Sequence, residues 1–422
     1  MPRDHSSQLP NAAGRTVLYL GWQREPVESL QRLGAEVTCV VTPELRLKAR
    51  EQGFEGLLAV ARDHTDVEDA LGALAELRVA PADFWTVCTE DEFAVVAAAV
   101  LSSLGSTSAA PVPVALALRD KTYQKQQVRA AGIPVADWVR CPDFDGVRSS
   151  PINPPFVIKP PSGAGSQQTW IITSLSDLDA VEAHAGPGSG PWLVERFVSG
   201  EELHVDGVVR DGQLLLASVS RYLNNVIEVH NGRLVASTTL DDADGELITS
   251  TAELTEKALA ALSYRDGVFH LEAFHHDGQL TFGECAGRIG GGLIFEAVRA
   301  KYGVDLYEEW AAAALGLPVS AAFQNIRTAK DSFGWVNLPA KPGRIRSLPG
   351  RTQIEAQPGV VEAQLWAEAG DTVGDMSLGS HLLVAKALVR APSEAVAREQ
   401  LSSVAKWFGR AIEIDPLEGG RE

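Results

Sequence analysis

The sequence predicts an α/β N-terminal domain followed by a longer α+β body built mainly on antiparallel strands. Two observations carry this. Up to about residue 112, short apolar strands alternate with helical patterns, the signature of a parallel sheet covered on both faces. Beyond residue 190 strands dominate, and Asp277-Gly278 between two apolar runs is a strong hairpin signal.

The first fifteen residues are polar and contain Pro and Gly, with no apolar core behind a basic start. They are expected to form a disordered leader, not a signal peptide. Residues 16–21 (TVLYLG) then read as a strand, 26–33 as a helix and 36–41 (EVTCVV) as a second strand. Leu57–Val60 and Phe84–Cys88 are further strands, with helical patterns at Val67–Leu77 and Glu92–Leu104. Residues 16–112 are thus expected to form a small Rossmann-like domain. It lacks the dinucleotide fingerprint, because Trp22, Gln23 and Arg24 follow Gly21 where GxGxxG needs glycine. No GxxxxGK[ST] occurs anywhere, which argues against a P-loop.

Pro111 and Pro113 mark a boundary, and one helix is expected over Leu116–Ala131, closed by Gly132 and Pro134. Residues 141–155 read as a loop. Phe156–Lys159 is a short strand, followed by a small-residue loop, the strand Thr169–Thr173 and the helix Asp177–His184. Residues 223–246 are polar and acidic and are expected to be a loop or flap. Leu247–Leu262 is helical, Val268–Phe274 and Leu280–Ala286 form the hairpin, and helices follow at 293–301 and 305–315. Residues 321–422 read as several strands and a last helix, Ser393–Ile412.

Apolar residues make up 45% of the 422, enough for a substantial core, and the formal net charge is −18. So acidic a surface repels polyanions and argues against nucleic acid as a partner. The longest apolar stretch, Ala94–Leu101, is far short of the roughly 18 residues that span a bilayer. Cys39, Cys88, Cys141 and Cys285 form no CxxC pair and read as buried free thiols. The nine His show no HExxH spacing. These features predict a cytoplasmic protein with no membrane partner.

Four constellations carry chemistry. Lys159 ends a strand directly before Pro160-Pro-Ser162-Gly163-Ala-Gly165-Ser166; such a loop can cradle phosphate oxygens with its N–H groups, or be a plain turn. Glu272 and Glu284 lie in apolar strands, where a carboxylate needs a partner or a cation. A two-residue turn would pair Glu272 with Gly283 and set the two acids on opposite faces. A three-residue turn through Gln279, with a bulge at Gly278, would set Glu272 across from Glu284, and this odd-length turn is predicted. The alternative use of one of them is a structural ion pair with Arg288. Glu195-Arg-Phe197-Val198 with Gly200-Glu-Glu202 reads as a nucleoside site or a solvated turn. Asp120-Lys121 suits a helix start, Lys121 being unremarkable alone. His270, His275 and His276 lie near the hairpin, where one of them could act as a base or all could be structural.

In this order the pieces resemble the ATP-grasp superfamily, and within it the carboxylate–amine ligases such as the L-amino acid ligases. The resemblance covers about residues 85 to 315. It implies a linker helix and lid subdomain over 113–190, an ATP-grasp core with an antiparallel sheet over 191–320 and a small C-terminal subdomain over 321–422. It implies that Lys121, Lys159 and the loop residues Ser162, Gly163, Gly165 and Ser166 hold ATP phosphates. Glu195, Phe197 and Val198 would line the adenine, the last two mainly through backbone, and Glu202 would bind the ribose. Glu272 and Glu284 would hold Mg²⁺ (or Mn²⁺), and Arg288 would meet the transferred phosphoryl and acyl groups while the Gly290–Gly292 run lets backbone approach the acyl group. Many members carry Asn two residues after the second Glu; here it is Ala286, which puts a second metal ion in doubt. The implied reaction joins a small-molecule carboxylic acid to an amine, amino acids among the candidates, through an acyl phosphate; a homodimer would be unsurprising for the family, and the oligomeric state is left open. Competing implications are a biotin-carboxylase-like or carboxylate–thiol ligase, and a non-catalytic ATP-binding protein of the same fold.

Overall fold

The computed structural model describes residues 12–105, 110–186, 188–320, 323, 326 and 328–416. Residues 1–11 of the expected leader lie outside the described residues, but the chain is already packed from residue 12. Ala12 is buried and donates its N–H to the Leu33 carbonyl at 2.7 Å. Arg15 lies over the Trp85 ring at 4.5 Å and donates to the Leu315 carbonyl. Residues 12–15 are therefore anchored rather than loose.

Four parallel strands form the first sheet, in the spatial order Leu58–Val60, Glu36–Val41, Thr16–Leu20, Thr86–Cys88. Val17, Leu18, Tyr19 and Leu20 are all fully buried, as expected for a strand covered on both faces. The helix Leu306–Ala314 packs against Arg24–Arg32 and shares one apolar cluster with it, through Trp310, Val27 and Leu30.

A second, four-stranded sheet forms the lid, in the order Trp138–Cys141, Trp192–Arg196, Phe156–Lys159, Trp170–Ile172. Trp192–Arg196, expected to begin the core, hydrogen-bonds into this sheet instead. Residues 141–155 are not all loop, since Phe144–Arg148 is a short helix that buries Phe144 and Val147 under the lid. The expected single helix over 116–131 is two, Val112–Arg119 and Lys121–Ala130. Asp120 separates them because its side chain caps the second, accepting from the N–H groups of Thr122 and Tyr123.

The third sheet has eight strands: Gln279–Ala286, Gly267–His276, Glu201–Arg210, Gln213–Tyr222, Ala236–Thr239, Ser332–Leu338, Ala385–Ala391 and Val360–Leu365. All its pairings are antiparallel. The segment expected as a flap, 223–246, thus contains an internal strand, Ala236–Thr239, joining the core strands to those of the C-terminal region. The strand is polar but buried, because its hydroxyls have distant partners. Ser237 meets His204, Thr238 donates to Glu394, and Thr239 pairs with Ser332. The helix Gly245–Ala261 covers one face of the sheet, packing Leu254, Ala258 and Leu259 on Val205, Val209 and Phe269. Among the described residues no helix is long and apolar enough to cross a membrane.

Candidate active site

The strands Gly267–His276 and Gln279–Ala286 place Glu272 directly opposite Glu284. The route to this register is not the one expected. The turn has two residues: His276 pairs with Gln279, and Asp277 and Gly278 take φ values of 47° and 75°. That register alone would put Gly283 across from Glu272. Instead the pairing slips by one residue beside Glu272, and Gly283 is the extra residue of a bulge. Glycine suits it, since a Cβ there would lie 2.9 Å from the Glu272 carbonyl oxygen.

The same face collects more polar groups. Glu272 pairs with His204 and His270 with Asp206 across the neighbouring strand, and Phe274 pairs with Glu202. Because cross-strand partners and every second residue share a face, Glu202, His204, Asp206, His270, Glu272 and Glu284 all point the same way. Glu202 accepts from the Val226 N–H at 2.7 Å. Its carboxyl is pushed well above the usual range, by burial first and then by Glu272 and Glu284. Three crowded carboxylates of this kind are the hard oxygen set a divalent cation prefers, so the residues fit Mg²⁺.

Lysines bridge this floor to the lid. Lys121 lies 3.4 Å from Glu284 and donates to the Gly163 carbonyl at 2.7 Å. Lys159 lies 3.1 Å from Glu195 and 4.0 Å from Glu284. Lys125, one turn after Lys121, is wholly buried, 2.6 Å from Glu195 and 2.7 Å from the Gly283 carbonyl. Burial raises the Glu284 carboxyl, but Lys121, Lys159 and Lys125 overcome it and hold the group down at about 2. Burial likewise opposes the charge on Glu195, which Lys125 and Lys159 hold below the usual range. Glu195, expected beside the adenine, therefore has its carboxylate engaged by lysines.

Arg288 pairs with neither Glu272 nor Glu284 among the described residues. Its guanidinium grips Glu92 of the N-terminal domain, with Nε at 2.6 Å and Nη2 at 2.5 Å, and Nη1 donates to the Ile289 carbonyl at 2.9 Å. Arg119 approaches Glu92 from the other side, at 3.7 Å.

The small-residue loop reaches across to the C-terminal region. The Gly165 carbonyl accepts from the Ser380 N–H at 3.3 Å, and His230 lies 3.2 Å from the Ser166 carbonyl and 2.6 Å from that of Ser377. Gly165, Ser166 and Gln168 all have positive φ, 61°, 58° and 48°. Loop, floor and lid enclose a cavity of about 770 Å³. Lys121, Lys159, Gly163, Gly165, Ser166, Glu195, Phe197, Val198, Glu202, Glu272, Glu284 and Arg288 all line it. Ser162 does not: it is exposed to solvent.

Three features escaped the sequence reading. Lys125 had a signal, the four-residue spacing from Lys121 that stacks both on one helix face. Glu92 had none, because its partners Arg119 and Arg288 are distant in the chain. Nor had the buried chain of hydrogen bonds from Ser237 through His204 and Asp206 to His270, with contacts of 2.5, 2.5 and 2.8 Å. Burial disfavours the His270 cation, yet Asp206 and Glu272 outweigh it and push the group up to about 10. At neutral pH His270 is thus a fixed cation rather than the base considered for it. The glycine run, all of which lines the cavity, also has a packing role. A Cβ on Gly290 would lie 2.6 Å from His270 Nδ1 and 2.7 Å from Asp206 Oδ1, and one on Gly292 would lie 2.6 Å from the Trp335 ring. Those glycines make room for protein side chains.

A lid sheet and an antiparallel floor that close on lysines and paired carboxylates define an ATP-grasp protein, and the model of the ATP-grasp domain matches residues 152–296. In sequence and in fold the chain is similar to amino acid ligases. It is 26% identical over 336 residues to the L-arginine-specific L-amino acid ligase of Bacillus subtilis, covering 76% of this chain and 78% of that protein. It is 28% identical to a D-alanine–D-alanine ligase of Clostridium beijerinckii over 25% of this chain and 36% of that one. The fold matches an L-amino acid ligase from Bacillus licheniformis, with a TM-score of 0.77, 16% identity and coverage of 96% of this chain and 100% of that one.

Proposed function

We propose that the protein joins two amino acids, or an amino acid and another amine, by phosphorylating a carboxylate with ATP and passing the acyl group to the amine. The observation that carries this is Glu272 facing Glu284 across the hairpin, beside lysines that reach the glycine-lined lid.

Glu272 and Glu284, with Glu202 behind them, would hold Mg²⁺, which when bound neutralises phosphate oxygens and orients them for transfer. Lys121 and Lys159 add positive charge at the same place. Phosphoryl transfer needs little covalent help, so positioning and neutralisation are the main work of these residues. Phe197 and Val198 offer backbone groups to the adenine, and Glu202 stands where it can also meet the ribose. Arg288 presents a planar fork, fixed on one edge by Glu92, to the acyl oxygen that gains charge as the amine attacks. His270 adds a second fixed charge beside Glu272, at 3.4 Å. The Gly163–Ser166 loop, tied to Ser380 and His230, keeps water from an acyl phosphate that would otherwise hydrolyse. The nucleophile, in this reading, is an amine rather than a thiol or bicarbonate, and the four free cysteines suit a reducing cytoplasm.

The test is ADP release by the purified chain over a panel of carboxylic acids, with and without pooled amino acids, followed by mass spectrometry of the products. Turnover that needs an acid, an amine and Mg²⁺ together, with an amide product, is the expected result. ADP release independent of any acid, or dependent on bicarbonate and biotin, refutes it. Size-exclusion chromatography tests whether the chain forms a homodimer.

A further inference from the structure

One side of the cavity is more acidic than nucleotide chemistry requires. Glu25 lies in the first turn of Arg24–Arg32, Glu296 in the first turn of Ile294–Tyr302, and Glu90 just after the strand Thr86–Cys88. All three line the cavity beside Tyr307 and Phe295. They converge: the Tyr307 hydroxyl is raised by burial and then by the fields of Glu90, Glu25 and Glu296.

Apart from Glu202, which stands with Glu272 and Glu284 on the carboxylate floor, several other acids of the cavity have a basic side chain at hand. Asp91 has His64, Glu92 has Arg288 and Arg119, Glu195 has Lys125, and Glu284 has Lys121. Among the described residues Glu25, Glu90 and Glu296 have no lysine or arginine within ion-pair distance. Glu296 accepts from the Gln364 amide, at 3.0 Å, and from its own backbone N–H. Lys386, whose field reaches Glu296, donates instead to the Gly292 carbonyl and lies over the Trp366 ring.

A plain structural reading accounts for part of this, since a glutamate in the first turn of a helix is favoured by the helix dipole. It covers Glu25 and Glu296 but not Glu90, which lies in a loop. Glu90 is only 5% exposed; one oxygen accepts from the Ile289 N–H at 3.1 Å, and the other has no partner. Asn337, 6% exposed and lining the same cavity, also has an unpartnered carbonyl oxygen. Buried acceptors left without donors are costly, and a ligand rich in N–H groups removes that cost. The α-ammonium of an amino acid answers one of these three acids, and two remain.

We propose that this acidic side of the cavity selects an amino acid with a cationic side chain, ammonium or guanidinium, as one of the two molecules joined. The inference rests on the ligase reading above and names its substrate class. The experiment compares ADP release by the full-length chain with L-arginine and L-lysine against their near-isosteric neutral counterparts, L-citrulline and L-norleucine. Each is given alone and with L-alanine. The cationic acids are expected to show kcat/KM at least about ten-fold higher, because a site with buried acceptors rejects an analogue lacking the donor or charge. In Glu296→Gln and Glu25→Gln that ratio is expected to fall toward one. The wild-type ratio decides the matter even if a variant fails to fold. Equal turnover of L-arginine and L-citrulline overturns the substrate inference and leaves the ligase reading standing. No ADP release with any acid overturns both.

Discussion

Replacing Lys125 by methionine tests whether the buried charges are one linked unit. The lysine side chain is fully buried, 2.6 Å from Glu195 and 2.7 Å from the Gly283 carbonyl. Methionine keeps much of the length but removes the charge and the donor. Glu195 is left with Lys159 alone, and the bulge carbonyl loses its partner. Breaking a buried ion pair costs about 3–5 kcal/mol. Because Lys159 remains at 3.1 Å, the expected loss is near the low end, about 3 kcal/mol. Equilibrium urea denaturation at neutral pH, read by circular dichroism, gives the number. The double variant Lys125→Met/Glu195→Gln should recover part of the loss, with a coupling on the order of 0.5–3 kcal/mol. ATP binding by calorimetry should weaken too, as Lys159 is drawn more fully to Glu195. If Lys125→Met lies within about 0.5 kcal/mol of wild type, the linked-charge account is wrong.

Three further outcomes are expected. Glu272→Gln and Glu284→Gln should each lower acid-dependent ADP release by about 10²–10³-fold and weaken Mn²⁺ binding measured by electron paramagnetic resonance. Arg288→Met should reduce kcat by about 10²–10³-fold with little change in ATP affinity, a split that steady-state kinetics and calorimetry resolve. Burial carries Glu90 from its ordinary 4.5 up to about 8, so its neutral form is favoured in the folded state. Its contribution to stability is therefore fully present below pH 4.5 and is lost as pH rises through about 8. Relative to wild type, Glu90→Gln should gain on the order of a few kcal/mol between pH 5 and pH 9, and parallel urea titrations at the two pH values check the sign.

How far the site could be read from the chain depended on how local its causes were. The alternation of strands and helices at the N-terminus, and the hairpin at Asp277-Gly278, follow from neighbours in sequence and were legible. The opposition of Glu272 and Glu284 was expected on the argument that both carboxylates share one cation, and the register is observed, but by another device. A glycine inside a strand, Gly283, was the clue to a bulge that a turn of odd length was invoked to supply. Ala236–Thr239 read as flap because Ser237, Thr238 and Thr239 look solvent-seeking until their partners His204, Glu394 and Ser332 are brought in from elsewhere. Glu195 read as a nucleoside contact because its lysines were known only as isolated residues. Long-range pairing of polar groups leaves no periodicity, and it was there that the reading stopped.

The eight-stranded sheet has a practical consequence for anyone wishing to dissect the protein. Ser332–Leu338, Ala385–Ala391 and Val360–Leu365 prolong the strand array that begins at the hairpin. A truncation just before residue 321 would bare the whole flank of Ala236–Thr239, whose hydrogen-bonding groups now face Ser332–Leu338. It would also strip the apolar cover supplied by Leu401 and Phe408 of the last helix. Such an open flank invites self-association. The part that grips nucleotide cannot be excised as a minimal module, and chimaeras that exchange the region after residue 320 must be spliced through a continuous sheet rather than at a hinge.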